Sequence, residues 1–77
     1  MIKAYVLGTV NAQKEQEVLR TVSEVEGVEN VEFVYGKYDF IAHINADDEI
    51  ELSTVILEKI RKLPDIVSTQ TLISQKV

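Results

Sequence analysis

The sequence predicts an α+β domain: a four-stranded antiparallel sheet with two helices on one face, in the ferredoxin-like order β-α-β-β-α-β. Three observations carry that prediction. Four stretches carry strand-like apolar or β-branched patterns, and apolar residues recur at helical spacing in two others. Gly27 and Pro64 stand where the two helical patterns end. A shift of 38 residues superposes the halves, placing Ala4 on Ala42, Val6 on Ile44, Val18 on Ile56, Val22 on Ile60, Val25 on Leu63 and Val28 on Ile66.

Ile2 to Val10 is apolar on both alternating faces, as expected of an interior strand. From Asn11, a competent N-cap, to Glu26, the residues Val18, Leu19, Val22 and Val25 fall on one helical face, and Lys14, Glu15, Glu17, Arg20 and Glu24 cover the other. Val28 to Tyr35 and Tyr38 to Asn45 read as a hairpin joined by a tight Gly36-Lys37 connection. Asp48 with Glu51 three residues later fits a capping box and opens the second helix. Its buried stripe is Leu52, Val55, Ile56, Ile60 and Leu63, and Arg61 and Lys62 suit the negative end of the helix dipole. Ile66 to Ser74 is the last strand.

Right-handed crossovers place both helices on one side of the sheet, with the first and third strands central. If Ile2, Ala4, Val6, Phe40, Ala42 and Ile44 meet the helices, the opposite face carries Tyr5, Leu7, Val34, Ile41 and His43, together with Thr69, Thr71 and Ile73. Periodicity alone does not orient the sheet, because both faces of the central strands are apolar. Either orientation leaves an apolar face bare, and the occupant expected for it is a second copy of the chain. The expected dimer interface is Tyr5, Leu7, Val34, Ile41, His43 and Ile73.

A folded chain of 77 residues exposes roughly 4,700 Å² and buries only about 60% of its unfolded surface, so a lone domain of this size is marginal. With no cysteine, neither disulfides nor thiolate metal sites supply the missing stability, and association is the remaining route. A net charge of -5, with no basic cluster beyond Arg61-Lys62, argues against autonomous nucleic-acid binding. The short, strand-like N-terminal run and the lack of any 18-residue apolar stretch give neither a signal segment nor a membrane span, so the expected location is cytoplasmic.

The chemistry of enzymes is sparse here. There is no thiol, no second imidazole beside His43, no Gly-rich phosphate loop and no nucleophile elbow, so no metal, cofactor or catalytic residue is expected. Asp47, Asp48, Glu49 and Glu51 lack the spacing and glycine of a calcium loop and read as helix-start residues. His43 reads as an interface or core histidine, and Phe33, Tyr35 and Tyr38 as hairpin packing. Around Gly36, Lys37, Tyr38 and Asp39 a different chemistry is available: backbone N–H groups for a carboxylate, and an acidic acceptor with an aromatic wall for an ammonium. A small zwitterion suits that set, and a plain hairpin turn accounts for it as well.

Val28-Glu29-Asn30-Val31, Gly36-Lys37-Tyr38-Asp39, Leu63-Pro64-Asp65-Ile66 and Thr69-Gln70-Thr71 together resemble the effector-binding (RAM) domain of the Lrp/AsnC, or leucine-responsive and feast/famine, regulators over nearly the whole chain. Gly36, Tyr38 and Asp39 match the family's Gly-x-Tyr-Asp signature. The resemblance implies a single domain over residues 1–77 that binds an amino acid through Gly36, Lys37, Tyr38 and Asp39 with Thr69 and Thr71 beside them. Asp39 holding the hairpin by hydrogen bonds is the alternative role. The resemblance also implies dimers joined sheet to sheet and assembled into octamers or decamers that modulate transcription, with full-length Lrp/AsnC regulators among the partners. Family members carry an N-terminal helix-turn-helix domain, whereas here Met1 leads directly into the first strand, so a version that does not itself bind DNA is expected. Two other functions share this strand order: a dimeric α+β barrel enzyme using His43 or Tyr5 as acid or base, and an ACT-like amino-acid sensor.

Overall fold

The computed structural model describes residues 1–74. In chain order it contains β1 (Ile2–Val10), α1 (Glu15–Ser23), β2 (Val28–Phe33), β3 (Phe40–Ala46), α2 (Glu49–Ser53) with a π-helical continuation (Thr54–Ile60), and β4 (Ile66–Ile73). The sheet runs β2-β3-β1-β4 with every neighbouring pair antiparallel, so β1 and β3 are central as the crossover rule requires. This is the ferredoxin-like fold.

Phe40, Ile44, Ile60, Val6, Val18 and Val22 form the fully buried centre, between the helices and one sheet face. Four of the residue pairs related by the internal shift are buried on both sides: Ala4 with Ala42, Val6 with Ile44, Val18 with Ile56, and Val22 with Ile60. Val25, Leu63, Val28 and Ile66 pack partly buried around them. The helix side of β1 and β3 therefore carries Ala4, Val6, Phe40, Ala42 and Ile44, which resolves the orientation that periodicity left open.

The helix starts differ from one another. Asp48 caps α2, its Oδ1 accepting from the Glu51 amide at 2.8 Å. Asn11 does not cap α1. Its amide donates to the Asp65 carbonyl at 2.9 Å and its Nδ2 to Asp65 Oδ1 at 3.1 Å, which ties the end of β1 to the turn before β4. With Asn11 committed there, the chain passes through a left-handed Gln13 (φ 69°), and α1 begins after Lys14 without a side-chain cap. It ends at Ser23, short of the expected Glu26, and Gly27 takes the left-handed conformation (φ 100°) that releases the chain into β2. After Ser53 the second helix widens, and the Arg61 amide reaches back five residues to the Ile56 carbonyl at 3.0 Å. Turns of more than four residues keep Leu52, Ile56 and Ile60 in one buried row.

Two bulges set which side chains share a face. Register shifts between Val28 and Asn30 in the β2–β3 ladder, leaving Glu29 extra, and at Thr9/Val10 in the β1–β4 ladder, leaving Val67 extra. Thr69, Thr71 and Ile73 lie directly opposite Gly8, Val6 and Ala4, and so turn toward the helices. They are not on the bare face, contrary to the expectation from strict alternation. Ser68, Gln70 and Leu72 occupy that face instead.

Gly8 leaves no room for a side chain. A Cβ built there would stand 2.4 Å from two ring carbons of the fully buried Phe40. Gly8→Ala is expected to lower stability by about 1–3 kcal/mol through overpacking. In urea denaturation, adding Phe40→Leu should cost less in the Gly8→Ala background than in the wild type; simple additivity would mean the ring is not the obstacle.

Candidate effector site and sheet face

Strands β2 and β3 are joined by a wide loop, not by the tight Gly36-Lys37 turn that alternation suggested. Tyr35 and Tyr38 lie outside the strands, and the Val34 amide closes the loop by donating to the Asp39 carbonyl at 2.9 Å. The cause lies at Asp39. Its amide donates to the Gly8 carbonyl at 2.8 Å, and its Oδ2 accepts from the Val10 amide at 2.9 Å. Val10 points its amide toward β3 at a level where the chain has already left the ladder, and the carboxylate takes the place of the missing strand carbonyl. Asp39 thus fastens β1 to the hairpin, and its effect is wider than holding the hairpin alone.

Gly36 sits at the loop with φ 125°, a conformation L side chains rarely adopt, yet a Cβ there would meet nothing within 4 Å. Its glycine is required by backbone conformation rather than by close approach of another group. Lys37 Nζ lies 5.9 Å from the centroid of the Tyr38 ring, within cation–π range. Among the described residues, the amides of Tyr35, Gly36, Lys37 and Tyr38 make no backbone hydrogen bond.

A hollow of about 320 Å³ lies between this loop and the start of α1, lined by Glu15, Phe33, Val34, Tyr35 and Asp39. Sequence reasoning missed Glu15, because helical spacing assigns it to a solvated face, and treated Phe33 and Tyr35 only as packing. Val34 lines this hollow from beyond the end of β2 and holds no ladder position on the bare face. Thr69 belongs to a different hollow of about 320 Å³ with Arg61, Ile66, Val67 and Ser68. One strand, β1, separates the two places, since Gly8 is flanked by Phe40 on one side and Thr69 on the other. Within one chain, then, the six expected ligand residues do not converge: Asp39 lines the first hollow, Thr69 the second, and Gly36, Lys37, Tyr38 and Thr71 line neither.

On the sheet face away from the helices stand Tyr5, Leu7, Ile41, His43 and Leu72, the last half exposed. Tyr5 and His43 lie opposite each other and meet edge to face, with ring centroids 5.2 Å apart.

A family model described as the Lrp/AsnC ligand binding domain matches residues 3–77. The chain belongs to that family. Among solved structures, a hypothetical protein, PHS023, from Pyrococcus horikoshii is 36% identical, with 100% of this chain and 93% of that chain covered and a TM-score of 0.91. An uncharacterized HTH-type transcriptional regulator, PF0250, of Pyrococcus furiosus is 27% identical over 60 residues; the match takes in 78% of this chain but only 40% of that relative. A Neisseria meningitidis transcriptional regulator, NMB0573, solved as an L-Met complex, is 16% identical, with 97% of this chain and 50% of that chain covered and a TM-score of 0.85, and shares the fold.

The Asp39 clamp is open to direct test. Asp39→Ala strands the Val10 amide and is expected to destabilise the domain by about 1 kcal/mol or more, whereas Asp39→Asn keeps an acceptor and recovers most of it. Amide hydrogen exchange should show Val10 losing protection in Asp39→Ala only; equal protection in both variants would refute the clamp.

Proposed function

We propose that this Lrp/AsnC ligand-binding domain binds a free amino acid beside the β2–β3 loop and, as a homo-oligomer, modulates transcription regulation without reading DNA itself. The observation that carries the reading is a hollow in which two carboxylates, Glu15 and Asp39, meet Tyr35, whose amide, like those of Gly36, Lys37 and Tyr38 after it, makes no backbone hydrogen bond. An ammonium group is complementary to the first set and a carboxylate to the second. The L-Met complex of the Neisseria regulator supports the same ligand class. Gly36, Lys37, Tyr38 and Asp39 are the proposed contacts from one chain. Thr69 and Thr71, across β1, contribute from a neighbouring copy or not at all.

Assembly is the second half of the proposal. The chain exposes 5372 Å², above the roughly 4,700 Å² expected for a folded monomer of its size, and Tyr5, Leu7, Ile41 and Leu72 lie on one uncovered face. Two copies meeting through that face would bury it as a pair of packed sheets, and rings of four or five such dimers would bring hairpins of different dimers together. The net charge of -5 supports a module that acts on protein partners, full-length regulators among them, rather than on phosphate. A binding role, rather than the α+β barrel chemistry of His43 or Tyr5, is supported by relatives that are domains of transcription regulators, and the same relatives support a cytoplasmic setting.

Thermal unfolding against the twenty amino acids at millimolar concentration tests the ligand. An effector at a hundred times its Kd adds about 2.7 kcal/mol, which raises Tm by roughly 10–20 °C in a domain of this size. No shift with any amino acid, in a folded sample, would sink the proposal. For the assembly, Leu7→Asp should place an unpaired charge in the interface and give a folded monomer by analytical ultracentrifugation; an unchanged oligomer would move the interface elsewhere.

A further inference from the structure

Among the described residues, His43 is the one side chain with a buried polar atom that lacks a hydrogen-bond partner. Its Nε2 is buried and has no hydrogen-bond partner, and a carboxylate oxygen, Glu32 Oε1, lies 3.6 Å away. Asn30 stands directly opposite His43 across the β2–β3 ladder, and Glu32 reaches it along the diagonal. The pair is still wet from the open side, with His43 32% and Glu32 57% exposed. Among the described residues, the other titratable or charged groups toward this face are Lys3 and Tyr5 from β1, and Glu29 from β2, whose carboxylate accepts from the Asn45 side-chain amide. From β4 come only Ser68, Gln70 and Leu72.

We propose that closing this face against a second copy takes up a proton at each His43, so that the dimer is stabilised as pH falls through the range in which imidazoles titrate. The inference rests on the sheet-to-sheet dimer proposed above. Covering the face strips water from Glu32, and a carboxylate moved out of water without a compensating charge is costly. A neutral imidazole, in either tautomer, leaves that negative charge uncompensated. A protonated one donates Nε2–H to Glu32 in a charge-assisted bond and makes the pair neutral overall. Two-fold symmetry doubles the effect, because an isologous contact brings two such pairs to the same interface.

The sign follows from linkage: if the dimer binds more protons than two monomers, its association constant rises as pH falls. The rise is bounded at about a hundredfold per pH unit for two protons. The test is the dimerisation constant by analytical ultracentrifugation between about pH 8 and pH 5.5, with circular dichroism confirming that each variant is folded. The wild type should dimerise about tenfold or more tighter at the acid end. His43→Gln, which keeps size and polarity but does not titrate, should flatten the profile. Glu32→Gln should reverse it, since a protonated His43 then becomes the uncompensated charge. A dimer whose strength does not change with pH, or a His43→Gln variant with the wild-type slope, overturns the proton coupling while leaving the dimer intact. A chain that stays monomeric at every pH overturns the dimer reading and the coupling with it.

Discussion

Two helices cover only one side of a sheet whose central strands, β1 and β3, are apolar on both, and the other properties of the domain follow from that imbalance. The covered side holds all of the fully buried centre, from Val6 and Phe40 to Ile60. On the other side Tyr5, Leu7, Ile41 and His43 are left half covered, a state a small chain without disulfides tolerates poorly. A third helix or a longer connection would relieve the exposure within one chain. This sequence instead joins matched halves by short connections, which leaves that face bare within one chain and is the ground for the proposed association.

Most of the architecture was legible because period, punctuation and repeat agreed with one another. The internal shift of 38 residues identified partners that are buried together, and Gly27 and Asp65, equivalent under that shift, both take left-handed backbone conformations (φ 100° and 70°). What alternation got wrong was the face of β4. Counting by twos from the partly buried Ile66 puts Thr69, Thr71 and Ile73 on the bare side, but the bulge at Val67 adds one residue and flips every side chain beyond it. The same shift places Glu29 on Val67, and Glu29 is the extra residue of β2. The β2 pattern, with Val28 and Val31 three apart on the helix side, therefore held the correction for β4, and reading the repeat through the strands would have found it.

The site was less legible, for a physical reason that centres on Asp39. Its neighbours in sequence suggest a turn residue, whereas its partners, Gly8 and Val10, are about thirty positions earlier in the chain. Local sequence carries no trace of a strand that ends one residue too soon to satisfy a distant amide. Gly36 was legible as a glycine position but not for its cause, since its left-handed backbone matters and the space around it is open. Glu15 lines the hollow as the first residue of α1, which begins after Asn11 has bonded to Asp65 instead of capping the helix.

Strand β1 physically links the proposed ligand loop to the proposed dimer face. Tyr5 and Leu7 stand on the bare face, Gly8 packs under Phe40, and Val10 is held by the Asp39 carboxylate, all within one continuous strand. A ligand changes assembly only to the extent that it binds one assembly state more tightly than another. If an ammonium group engages Asp39 while its Oδ2 still accepts from Val10, the charge strengthens a clamp already made and orders the end of β1. If it draws the carboxylate away, Val10 loses its acceptor and the strand frays from that end. Opposite effects on the proposed dimer face follow from the two cases, so the direction in which an effector shifted assembly would report which bond Asp39 keeps.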